Sequence, residues 1–208
     1  MKHNLFVIAL LLAIFTLSAF TAKADVPEPL TFTATSANTK VRFNWGTAPT
    51  DTKNYVKLQY RLYKNGVWTD WATLNSATTT PTAAQLLPAI GDKMQVRGSS
   101  PKGLNATNEN SPRQYYFEIA EGGVDLSGEL MSLIDSLELV TTIPNDYCFF
   151  DLFRAQTRII NAQDLRCSAI TLKKSCYESM FSGCTGLNSL DLSEFNTTNV
   201  KNMNSMFY

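Results

Sequence analysis

The chain has 208 residues, 18 of them basic and 18 acidic, and charged residues make up only 17% of it. A balance of that kind offers no basic stripe to neutralise phosphates, so no nucleic-acid partner is expected. Its one histidine is His3, which bears directly on which chemistries remain open.

Met1-Lys2-His3 is a short basic start, and Leu5 to Phe20 is an apolar run interrupted by Thr16 and Ser18. Ala22-Lys23-Ala24 then puts small residues at the two positions read by signal peptidase. Residues 1–24 are expected to be a secretory signal peptide cleaved after Ala24, and the protein to be exported, either secreted or held at the cell surface. An uncleaved anchor helix is the alternative, but the run is short for a full span. No later segment is apolar enough to cross a membrane. Cleavage removes Lys2, His3 and Lys23 and leaves 16 basic residues, 18 acidic residues and no histidine. Ser-His-Asp and Cys-His catalysis and His-ligated zinc then have no residues to work with.

Residues 25–120 read as a β-domain. Leu30 to Ala34 and Val41 to Trp45 alternate apolar and polar residues, the period of a half-buried strand. Val56 to Leu62 alternates strictly, Asn65-Gly66 is the preferred two-residue hairpin turn, and Val67 to Trp71 returns. Pairing Lys64 with Val67 sets Tyr63 against Trp68, Arg61 against Asp70 and Tyr60 against Trp71. Leu58, Tyr60, Leu62, Thr69 and Trp71 are then expected on the core face. Arg61, Tyr63, Trp68 and Asp70 share the outer face, with Arg61 and Asp70 a cross-strand ion pair worth roughly 0.2–1 kcal/mol. Lys93 to Arg97 places Met94 and Val96 inward, and Gln114 to Ile119 places Tyr115, Phe117 and Ile119 on one face. Ser76 to Thr82 and Ser99 to Pro112 are polar, turn-forming connections. Six or seven such strands predict an antiparallel sandwich of immunoglobulin-like kind, with a small barrel as the runner-up.

Residues 121–140 open with Gly122-Gly123, after which Leu126, Leu130, Leu133, Ile134 and Leu137 recur at helical spacing. The pattern predicts a linker and a short amphipathic helix that caps the apolar end of the C-terminal region.

Residues 141–208 carry a repeat. Cys148 to Arg154, Cys176 to Ser182 and Asn202 to Tyr208 share one pattern, with Phe153, Phe181 and Phe207 at steps of 28 and 26 residues. Leu187, Leu190 and Leu192 fit a leucine-rich repeat, with Leu190-Asp191-Leu192 as the short strand, and Ile159, Ala162 and Leu165 stand in the matching places of the first unit. Met180-Phe181 and Met206-Phe207 are expected on short helical segments closing each coil. The predicted fold class is therefore mixed: a β-sandwich, a helical cap, and the start of an α/β solenoid.

Ser179 to Leu187, followed by Leu190-Asp-Leu-Ser-Glu-Phe-Asn-Thr-Thr-Asn-Val-Lys-Asn-Met-Asn-Ser-Met-Phe207, resembles the BspA-like leucine-rich repeat surface proteins of bacteria. The likeness is close over 176–208 and looser over 145–175. It implies a secreted or surface adhesin-like protein. Family members continue into another Gly-Cys-x-x-Leu, so the array is expected to be truncated at Tyr208.

Cys148, Cys167, Cys176 and Cys184 all fall in the repeat. Buried free thiols stacked along the array, one or two disulfides, and a zinc site are the three readings; with no Cys-x-x-Cys pair the first is preferred, and no metal or other cofactor is expected. Asp125, Glu129 and Asp135 could form a carboxylate pair for glycoside hydrolysis, but helical spacing assigns them to a solvated face. The chain is therefore expected not to be an enzyme. Arg61, Tyr63, Trp68 and Asp70 are the candidate binding residues. The expected partner is an extracellular protein or glycan, held on the repeat surface without covalent chemistry. A carbohydrate-binding module that stacks sugars on Tyr63 and Trp68 is the alternative.

Overall fold

The computed structural model describes residues 27–45, 56–74, 83–105, 115–137, 139–198 and 200–208. The expected signal peptide and the connection 76–82 lie outside the described residues. Among the described residues, no helix is long and apolar enough to cross a membrane.

The alternating segments form strands as their period requires. These are β1 (Leu30–Ala34), β2 (Thr39–Trp45), β3 (Lys57–Lys64), β4 (Val67–Trp68), β5 (Ala72–Thr73), β6 (Gln85–Leu87), β7 (Lys93–Ser99), β8 (Tyr115–Glu121), β9 (Val124–Glu129), β10 (Ile159–Arg166) and β11 (Ser189–Leu190). They make two sheets. One has eight strands, in the order β11-β10-β9-β1-β7-β3-β4 with β5 also on β3, and the other has the order β6-β2-β8. The face-to-face meeting of the sheets is marked by Phe32 of β1 and Phe117 of β8, whose ring centroids are 4.9 Å apart. This β-rich arrangement is compatible with the expected sandwich. Met94, Val96, Phe117 and Ile119 are buried as their alternation predicted.

The predicted capping helix is absent. Residues 124–129 are strand β9, antiparallel to β1 and parallel to β10. Gly128 explains part of this: its φ is +83°, a left-handed backbone that stops a helix in the middle of the predicted span. A Cβ there would also meet the Pro29 carbonyl oxygen at 2.2 Å. Only a single 3₁₀ turn comes after it, at Leu130–Leu133, with all four residues buried, so its pattern is that of a plug rather than of an amphipathic face. Leu137, expected on the buried side, is 66% exposed.

The α/β solenoid is likewise corrected. Between the parallel strands the chain makes successive turns, and no helix closes them. Tyr147, Asp151 and Ala155, and again Ser175, Ser179 and Gly183, take left-handed backbone at every fourth position. No α-helix accommodates that. The backbone bonds divide between two directions. Phe150 and Leu152 N–H groups donate back to the Tyr147 and Phe149 carbonyls, while Phe149, Phe153 and Phe181 donate across to the Cys176, Met180 and Met206 carbonyls of the following unit, at 3.0, 3.0 and 3.1 Å. The expected strand at 190–192 is instead Ser189–Leu190, paired in parallel with Asn161 and Ala162.

The C-terminal turns are continuous with the two sheets. On one side β10 and β11 extend the eight-stranded sheet past β9. On the other, the outer edge of β8 is sealed by the first repeat unit. Phe117 N–H donates to the Leu152 carbonyl at 3.0 Å and Ile119 N–H to Gln156 Oε1 at 2.9 Å, while Asn105 of the β7–β8 connection accepts the Tyr115 N–H at Oδ1, at 2.7 Å. These bonds cover the edge of β8 that faces away from β2. One apolar core runs through both parts, with Phe117–Phe153 at 6.1 Å and Phe153–Phe181 at 5.4 Å between ring centroids; Phe207 stacks on Phe181 at 6.3 Å but is 55% exposed.

Candidate functional site

The outer face of the eight-stranded sheet gathers the polar and aromatic side chains. Residues paired on neighbouring strands share a face. One row runs Trp68, Tyr63, Lys93, Thr33, Asp125, Asn161, and the next runs Arg61, Gln95, Thr31, Ser127, Asp164.

At the β3–β4 end the hairpin forms as its turn dictates. Asn65 and Gly66 have φ of 52° and 80°, and Tyr63 pairs with Trp68, rings 5.2 Å apart. The predicted register then fails. Tyr60 pairs with Ala72 and Gln59 with Thr73, one residue later than expected. Thr69 is where the ladder changes: its N–H donates to the Leu62 carbonyl at 2.8 Å, while its hydroxyl, in place of a carbonyl, accepts the Leu62 N–H at 3.0 Å. An extra residue is absorbed after it, and a slip of one turns every later side chain to the other face. Trp71, expected in the core, comes to the outer face beside Arg61, and Thr69 is exposed. Asp70 is exposed, and the expected Arg61–Asp70 ion pair is not made. Arg61 donates its Nε to Gln95 Oε1 at 2.8 Å instead.

The result is a compact ladder. The Arg61 guanidinium carbon lies 4.3 Å from the Trp68 ring centroid and 4.8 Å from that of Trp71, and the Arg97 carbon lies 3.9 Å from Trp71. Arg97 donates its Nε to Gln59 Oε1 at 3.2 Å. Gln95, buried between, donates to Glu28 Oε1 at 2.7 Å. Burial, and then the neighbouring charge of Arg97, push the Arg61 guanidinium below its ordinary pKa. Trp71, Arg97, Gln59 and Gln95 were not singled out from the sequence. Only the outward alternation of Gln59 and Arg97 on their strands could have signalled them.

Towards β10 the same face holds a polar cleft of about 420 Å³, lined among others by Glu28, Lys93, Asp125, Ser127, Asp164 and Arg166. That lies in the size range of small-molecule sites. Burial holds the Asp125 carboxyl above the usual carboxylate range. Glu129, at the back of the cleft, is 2% exposed, and its carboxylate accepts the Met131 and Ser168 N–H groups at 2.9 and 3.0 Å. Asp135 accepts the Leu137 and Leu139 N–H groups. Both carboxylates thus brace backbone turns.

Residues 170–208 match the family described as a Mycoplasma protein of unknown function, DUF285. That stretch includes β11 and the last two repeat units. No curated protein and no solved structure matches the chain.

All four cysteines are buried and none is in a disulfide, and among the described residues no cluster of three metal-ligating side chains occurs. Tyr177 donates its hydroxyl to Cys167 Sγ at 3.3 Å, and Cys184 Sγ donates to the Phe153 carbonyl at 3.0 Å. Burial raises the Cys167 thiol to about 12 and the Cys176 thiol to about 11, and that of Cys148 higher still. The thiolate is the reactive form. Iodoacetamide at pH 8 should therefore leave the native thiols unmodified and label all of them after unfolding in urea. Stoichiometric labelling of the native chain, read by mass spectrometry, would contradict their placement.

Proposed function

We propose that the chain is an exported binding protein without covalent chemistry, which holds a protein partner on the outer face of its eight-stranded sheet. The observation that carries this reading is the clustering of Arg61, Tyr63, Trp68, Trp71 and Arg97 at one end of that face. Tyr, Trp and Arg are the residues that dominate binding energy at protein interfaces, and here they are held side by side, half-buried and pre-ordered by stacking. A sugar platform needs a bare ring face. The Arg61 guanidinium stands over both indoles, which favours a protein over a glycan. The likeness of residues 176–208 to BspA-like surface proteins agrees with an adhesive role.

The test is binding of the purified chain to parallel panels of immobilised extracellular proteins and of glycans. Saturable binding to a protein is expected, weakened about tenfold or more by Trp68→Ala with the fold retained. Binding to glycans alone, or full binding by the folded variant, would sink the reading. The export part stands if the native protein begins at Asp25 and falls if it begins at Met1.

A further inference from the structure

We infer that the paired guanidinium groups of Arg61 and Arg97 form an anion-recognition site, which takes the carboxylates of an acidic segment on the partner protein. The inference rests on the binding reading above and specifies the partner's chemistry.

Two cations are placed on one indole, at 4.8 and 3.9 Å from the Trp71 centroid. Each is fixed through Nε by a neutral amide, Gln95 for Arg61 and Gln59 for Arg97. No carboxylate is bonded to either among the described residues. Glu28, whose charge acts on Arg61, accepts at Oε1 from Gln95. The arrangement therefore holds both side chains by Nε and by their closeness to the Trp71 ring, and, among the described residues, leaves the terminal nitrogens of both forks for another group. Lys57 and Lys93 lie on the same face of β3 and β7, so these two strands bring four cations to this end of the face, with Glu28 beside them and the carboxylates of Asp125 and Asp164 further along it on β9 and β10.

Like charges held this close repel, and a bound anion turns that repulsion into attraction. A guanidinium fork matches a carboxylate in two parallel hydrogen bonds, which a point charge such as ammonium does not reproduce. The flanking Trp68 and Tyr63 supply apolar contact for the rest of a peptide segment. Uronic or sulfated glycans carry anions too, but they would meet indoles already covered by Arg61.

The probe is a short fluorescein-labelled oligoglutamate, titrated by anisotropy at low and at physiological ionic strength. The wild-type chain should bind it, more weakly as salt rises. The Arg61→Gln/Arg97→Gln double variant should bind about tenfold or more weakly. The Arg61→Lys/Arg97→Lys variant, which keeps the charge and loses the fork, should fall between. Thermal melts establish that each variant is folded. If the glutamine variant does not fold, the lysine variant and the preference for oligoglutamate over oligolysine decide.

Equal binding of oligolysine overturns the inference, as does undiminished binding by the folded glutamine variant. Binding of heparin without binding of oligoglutamate overturns it in favour of an anionic glycan. A protein partner that depends on Trp68 but ignores both arginines would overturn this inference and leave the broader reading standing. Loss of that reading would show instead as indifference to Trp68→Ala.

Discussion

Replacing Phe117 with alanine is expected to remove about 3–5 kcal/mol of stability and to loosen the two sheets and the C-terminal repeat together. The ring is fully buried and meets Phe32 of the opposite sheet at 4.9 Å, Phe43 of the neighbouring strand at 5.1 Å and Phe153 of the first repeat unit at 6.1 Å. It is the point at which three layers share one contact. Truncation leaves a cavity whose walls belong to two sheets and a turn, and these cannot all close on it. The backbone N–H of the same residue ties β8 to Leu152.

The measurement uses probes that the sequence itself separates. Trp45 stands in β2, Trp68 in β4 and Trp71 just before β5, and all four cysteines lie beyond β9. Indole fluorescence and thiol reactivity should therefore track the two parts through a urea titration. Coincident midpoints are expected in the wild type, shifted together in the variant. Thiols that become reactive well before the fluorescence changes would show that the repeat melts on its own, and would contradict a shared core.

The second large effect is expected at Glu129. Glu129→Ala should cost about 1–3 kcal/mol, because it leaves buried backbone donors without acceptors. The carboxylate joins two regions: Met131 N–H in the 3₁₀ turn, and Ser168 N–H just beyond β10. Oε1 alone accepts from both at 2.9 and 3.0 Å. Glu129→Gln keeps one such oxygen and should be milder than alanine by about 1 kcal/mol. Thermal melts rank the variants. Amide hydrogen exchange locates the effect, with protection at Ser168 expected to fall in the alanine variant. Equal stability of glutamate and alanine at this position would show that the carboxylate clamps nothing.

Glu129 and Trp71 also mark where sequence reasoning stops. Glu129 reads as a solvated carboxylate on a helix, because Leu126, Leu130 and Leu133 recur at helical spacing. The same residues serve a strand and a buried turn once β1 and β10 offer hydrogen-bonding edges on both sides of β9. Trp71 reads as a core residue by strict alternation from the turn. A single absorbed residue after Thr69 reverses it and completes the arginine ladder. Of the four candidate site residues, Arg61, Tyr63 and Trp68 meet on one face, and Asp70 does not join them.

The features that the sequence alone determined were set by short-range physics. They include the alternation that makes β1, β2, β3, β7 and β8, the Asn65-Gly66 turn, and the spacing that buries Phe153 and Phe181 in successive units, while Phe207 at the third place is exposed. For the thiols the sequence preferred burial but left a disulfide open, and the structure decided for burial. Tertiary structure decided the rest: that β9 is a strand, that left-handed turns replace helices between parallel strands, and that β8 is closed by the repeat. In each case the local pattern was compatible with more than one backbone. The choice fell to whichever conformation let the buried N–H and C=O groups find partners on elements distant in sequence.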